Sequence, residues 1–121
     1  RISHAVRMGA GSGGRRVGVL VAGSMHAREW GGADACVAFL TRLTGAHVRR
    51  EPLALESKTF TAAQVRRILR HTTVVVFPDV NPDGKNYSES VDMRWRKNRN
   101  PNLAVDPAHP GVDLNRSFDF L

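Results

Sequence analysis

The chain has 121 residues, enough for one small domain, and 41% of them are hydrophobic, an ordinary share for a globular core. A formal charge of +7 favours acidic partners or, more simply, arginine-rich solvated faces. With no Gly/aromatic RNA signature, no Cys/His finger spacing and no aromatic-interleaved basic run, the charge does not identify a nucleic-acid binder. The single cysteine excludes an internal disulfide, and no apolar run reaches membrane-spanning length, so no membrane partner is expected.

Ile2 to Met8 alternates imperfectly and reads as a strand, and Gly9 to Gly14 as a flexible glycine-rich turn. Arg1-Ile2-Ser3-His4 carries no signal-peptide pattern, and the start without methionine reads as a processed product or an excised piece. Val17 to Ala22 is a near-continuous apolar run of the length of a strand buried on both faces. The short turn before it predicts a hairpin. Gly23-Ser24-Met25-His26-Ala27-Arg28-Glu29-Trp30 follows at the carboxyl end of that strand, where ligand crevices form in open α/β sheets.

Cys36, Phe39, Leu40 and Leu43 form the i, i+3, i+4, i+7 stripe of an amphipathic helix over Ala33 to Leu43, with Gly45 as its stop and Cys36 in the core. Ala46 to Thr59 reads as a polar connection. Thr61 and Gln64 have the capping-box spacing and open a second helix, with Ala62, Val65, Ile68 and Leu69 facing inward and Arg66, Arg67 and Arg70 outward. His71 suits the helix end as a cation. Thr73 to Phe77 is a second strand of β-branched residues, ended by a turn at Asn81-Pro82-Asp83-Gly84. Lys85 to Leu121 shows little periodicity and reads as a functional surface, with His109 solvated in a Pro-flanked loop. The order of elements predicts an α/β fold, helices packed on a mixed, mainly parallel sheet.

Three groups carry candidate chemistry. His26 and Glu29 are good zinc donors, and a spacing of three can bring them to one side of a helical turn. Taken alone, such a pair is common by chance. No His-Glu-x-x-His occurs, so Glu29 reads as a ligand and not as the general base of that motif. Arg94-Trp95-Arg96-Lys97-Asn98-Arg99 is a basic patch or a source of guanidinium for a developing oxyanion. In Gly111-Val112-Asp113-Leu114-Asn115-Arg116, Asn115 and Arg116 could hold a carboxylate together, and Asp113 could orient a metal-bound histidine.

The four motifs in this order, His-x-x-Glu after an apolar strand, Asn-Pro-Asp-Gly, Trp-Arg-Lys-Asn-Arg and Gly-Val-Asp-Leu-Asn-Arg, closely resemble the zinc carboxypeptidase family, the funnelin-type metallocarboxypeptidases. The resemblance implies a partial α/β/α sandwich, with residues 1–121 as the N-terminal portion of a single catalytic domain. It implies zinc held by His26 and Glu29, and Arg28 in contact with substrate. It also implies Arg99 on the oxyanion, Arg96 at an outer subsite, Asn115 and Arg116 on a C-terminal carboxylate, and Asp113 behind the first zinc histidine. The family's third zinc ligand, its capping tyrosine and its glutamate base lie downstream of the position matching Leu121. The partners implied are peptide or protein C-termini and the remaining C-terminal half of the domain, in a secreted setting. The isolated piece is expected to bind zinc poorly and to hydrolyse nothing. Two alternatives stand beside this reading. One is a deacylase of N-acyl amino acids, or a cell-wall peptidase, of the same superfamily. The other is a non-catalytic module that keeps only the carboxylate clamp.

Overall fold

The two apolar runs pair with each other. In a computed structural model, which describes residues 1–10, 15–103 and 110–118, Val17–Ala22 (β2) lies parallel to Thr72–Phe77 (β5), in register from Val17 opposite Thr72 to Ala22 opposite Phe77. Val6–Met8 (β1) pairs antiparallel with the other edge of β5, and the strand order is β1-β5-β2. The expected hairpin between the first two strands does not form, because β5 lies between them. Two six-residue strands match along their whole length, whereas β1 offers only three paired positions. The longer loop that this pairing closes costs little, since closure entropy grows only logarithmically with length. The sheet is mixed, as expected, with the parallel pair the longer of the two.

The connection from β2 to β5 runs through Gly31–Arg49 (α1), a hairpin of Leu53–Leu55 (β3) and Lys58–Phe60 (β4), and Ala62–His71 (α2). Helix α1 is longer than its stripe predicts and passes through Gly45. Ala46 lies three residues beyond Leu43 on the same buried face, so the apolar stripe continues across the glycine. The helix ends when Arg50 takes a left-handed conformation, its N–H bonded to the carbonyls of Ala46 and His47. The β3–β4 hairpin replaces the expected polar connection. Its turn is Glu56-Ser57, with Glu56 at φ 45, and it carries none of the Asn-Gly signal that marks such turns.

Helix α2 has the predicted reciprocal cap between Thr61 and Gln64. Its buried face is narrower than expected: Val65 and Leu69 are buried, while Ile68 is exposed. Asn81-Pro82-Asp83-Gly84 is not a free turn but the start of Pro82–Ser90 (α3), with Asn81 at the N-cap and Pro82 in the first turn, where its missing N–H costs nothing. Asn-Pro suits both outcomes, and only the packing of the following residues decides between them.

The core joins Cys36, Leu43 and Ala46 of α1, Leu53, Val65 and Leu69 of the connection, and Val74 and Val76 of β5. Alternation along β5 therefore turns Val74 and Val76 toward α1 and α2, and Val75 and Phe77 to the opposite face. There Leu20, Ala22 and Phe77 line an apolar cavity of about 410 Å³ with Met25, Leu114 and Phe118. Strand β2, expected to be buried on both faces, is largely exposed: Val17 is 67% and Leu20 66% accessible. It pairs with β5 alone, and its outer edge meets no strand among the described residues.

Candidate active site

The chain leaves β2 and β5 side by side at their carboxyl ends, and four loops meet there. Gly23 ends β2 by donating its N–H to Phe77 O, and Val80 N–H returns a bond to Gly23 O. A side chain at Gly23 has no room, since a Cβ would stand 2.6 Å from Gly32 O and 2.7 Å from Pro78 O. The next residues turn back on themselves, with Glu29 N–H on His26 O at 3.0 Å. That turn brings His26 Nδ1 to 2.8 Å from Glu29 Oε1.

The other ring nitrogen, Nε2, lies 3.2 Å from Asp113 Oδ1. Asp113 is well held: Oδ1 also accepts the Asn115 N–H at 3.0 Å, and Oδ2 accepts Arg96 Nε at 2.8 Å. Burial by itself raises the Asp113 carboxyl. The Arg96 hydrogen bond, the Asn115 N–H and the charges of Arg96 and His26 outweigh it and hold the group below its ordinary value. An ionised Asp113 accepts from Nε2–H, which leaves the Nδ1 lone pair facing the Glu29 carboxylate. Two acceptors at 2.8 Å repel unless a proton or a cation lies between them.

This donor set fits zinc: one imidazole nitrogen, one carboxylate oxygen, and the far nitrogen tied to an acid. His26 is nearly buried while Glu29 is half exposed, so the pair opens to one side. Among the described residues no group of three His, Cys, Asp or Glu side chains could hold a metal. His26 and Glu29 supply two donors, with Asp113 behind the first.

The remaining sequence-nominated residues divide around this pair. Arg96 is close to it, with Nη1 4.0 Å from Glu29 Oε1 in addition to its bond to Asp113. Arg99 points elsewhere: its guanidinium stacks over the Tyr87 ring at 3.8 Å and the Trp95 ring at 4.5 Å, and those two rings meet edge-on. It lines a separate cavity of about 570 Å³ with Asn81, Asp83, Asn98 and Asn100. Asn115 and Arg116 are exposed on the one-turn 3₁₀ segment capped by Asp113, close in sequence to the acid that bonds His26. Arg28 is exposed and reaches Arg94 O at 3.4 Å. His109 lies outside the described residues, as do residues 11–14 of the glycine-rich turn.

Two asparagines that lie within the quoted motifs, but to which the sequence assigns no role at the site, bind the loops together. Asn98 donates its N–H to Val112 O and accepts Val112 N–H on Oδ1, which ties the arginine loop to the loop bearing Asp113. Asn81 bonds both the His26 loop and the arginine loop. The N-cap pattern at Asn-Pro was the available signal for Asn81.

A family profile described as zinc carboxypeptidase matches residues 1–121. The metallocarboxypeptidase A of Trichophyton tonsurans is 32% identical over 112 residues, 91% of this chain and 23% of that protein. The zinc carboxypeptidase of Simulium vittatum is 32% identical over 102 residues, 84% of this chain and 28% of that one. The inactive metallocarboxypeptidase ecm14 of Talaromyces stipitatus is 32% identical over 107 residues, 88% of this chain and 16% of that one. The crystal structure of thrombin activatable fibrinolysis inhibitor superimposes with a TM-score of 0.71 at 27% identity, over 96% of this chain and 25% of that one. The chain thus spans roughly a quarter or less of the length of these relatives. With a family profile over its whole length and the same α/β fold, the chain belongs to the zinc carboxypeptidase family.

Proposed function

We propose that these residues are the N-terminal portion of a single zinc carboxypeptidase catalytic domain, one that releases residues from the C-termini of peptides or proteins. The observation that carries this reading is the His26–Glu29 pair, with the far histidine nitrogen anchored on Asp113. His26 and Glu29 would hold the zinc, which when bound polarises a carbonyl and lowers the pKa of its water. Asp113 fixes the ring tautomer and orientation of His26, and Arg96 keeps Asp113 ionised. Asn115 and Arg116 offer a neutral donor and a paired guanidinium donor for a terminal carboxylate, which orients the substrate. Arg28 and Arg96 add cationic contacts along the peptide, and Arg99 the donor for the oxyanion. Arg99 would have to leave the faces of Tyr87 and Trp95 to act there. A third ligand and a general base would come from the remaining C-terminal half of the domain, and a secreted setting goes with this assignment.

The test is metal-dependent release of C-terminal residues by the full-length protein. Peptides with a free terminal carboxylate should be cleaved and their C-terminal amides spared. The Arg116→Ala variant should raise KM far more than it lowers kcat. Equal turnover of acid and amide peptides would sink the reading. The 121-residue chain by itself is expected to bind zinc weakly and to show no turnover. A non-catalytic module is the second reading, and one similar protein is itself named inactive. It requires C-terminus-dependent peptide binding that survives His26→Ala, with no hydrolysis by the full-length protein.

A further inference from the structure

The loop that presents His26 and the loop that presents Arg96 have no strand or helix to hold them, yet they lie in contact. One buried side chain joins them. Asn81 is 2% exposed, and both polar atoms of its amide are in use. Oδ1 accepts Gly84 N–H at 3.2 Å and so caps α3. Nδ2 donates in two directions, to Met25 O at 3.0 Å and to Lys97 O at 3.2 Å. Met25 is the residue before His26, and Lys97 the residue after Arg96. A backbone bond also joins the same two loops, Ala27 N–H to Arg96 O at 3.0 Å. Gly84 closes the arrangement from the helix side, where any side chain would run into the Asn81 amide and Lys97 O.

A helix cap alone explains only one of these three bonds. Asp, Ser and Thr cap as well as Asn does. Accepting one bond while donating two from a short side chain is a property of the amide, which carries both a carbonyl and an NH₂. We propose that Asn81 is a positioning residue for the His26–Glu29 pair: its NH₂ fixes the loop that carries both against the Arg96 loop, and so sets where His26 stands relative to Arg96 and Asp113. This rests on the zinc reading above and extends it to a residue that touches neither metal nor substrate.

The experiment replaces zinc by cobalt(II) in the full-length protein and follows its visible absorption and its affinity against a chelator. Asn81→Asp keeps the acceptor for Gly84 N–H and removes the donor. Asn81→Ser keeps an acceptor and puts a single O–H in place of the two NH₂ donors, which cannot serve both carbonyls, without adding a charge; it carries the test if the aspartate variant does not fold. Thr61→Ala removes the cap of α2 and serves as a control for lost stability alone. The Asn81 variants are expected to bind cobalt about tenfold more weakly, the size of effect seen for residues one step behind a metal ligand. Their absorption band should also change, while Thr61→Ala changes neither at a comparable loss of thermal stability. Unaltered affinity and spectrum in both Asn81 variants would show a cap and nothing more, as would an equal weakening in Thr61→Ala. A full-length protein that binds no cobalt would remove the zinc reading itself, and the proposal with it.

Discussion

At the scale of single residues the site depends on positions with almost no latitude. Gly111 sits at φ +95, where side-chain-bearing residues are strained, and any Cβ there would overlap Asn98 O. Two residues later comes Asp113, the anchor of His26. Gly111→Ala is therefore expected to cost about 1–3 kcal/mol from backbone strain, read as a lower urea midpoint at unchanged slope, and to weaken metal binding as Asp113 shifts. The motifs made part of this site legible. His26, Glu29, Arg96 and Asp113 were all nominated by residue type and order, and they meet within hydrogen-bond or ion-pair distance. Asn81 and Asn98 were not nominated, because they bond the backbones of segments far away in sequence, and no local spacing records such bonds. Arg99 was nominated as an oxyanion donor, whereas the structure stacks it on Tyr87 and Trp95, a contact that only folding brings about.

At the scale of elements, legibility follows how local the cause is. The capping box of α2 involves residues three apart, so the sequence displays it complete. The ends of α1 and the nature of β3 and β4 depend on packing against α2 and the sheet, which no window of the sequence contains. Gly45 shows the point. In isolation it reads as a stop, but buried neighbours on both sides carry the helix through it. Glycine inside a helix is less favourable than alanine by roughly 0.5–1 kcal/mol. The nearest atoms that a Cβ at Gly45 would meet belong to the Arg49 guanidinium, the far end of a flexible, exposed side chain. Gly45→Ala is expected to stabilise the protein by about that much, seen as a higher midpoint in denaturant, with metal binding unchanged.

At the scale of the whole molecule, the sheet is covered unevenly. Helices α1 and α2 shield one face, while Leu20 and its neighbours remain open on the other. An exposed apolar face next to a strand edge that is unpaired among the described residues favours association between copies. Leu20→Lys should make the 121-residue chain alone less prone to self-association, measured as a smaller apparent mass in light scattering. In a full-length protein whose further residues cover this face, the same substitution should instead lower the thermal midpoint. The sign of the effect thus reports whether the face is covered.

The strand order has a consequence in time. The central strand, β5, is the last of the three to be made, so β2 leaves the ribosome about 50 residues before the strand it pairs with. At ordinary synthesis rates that is a wait of roughly 3–10 s, long compared with helix formation or collapse. During it the nascent chain carries an apolar segment whose parallel partner, β5, does not yet exist. Holding factors at the tunnel exit would meet this chain at Val17–Ala22, before any of its site exists.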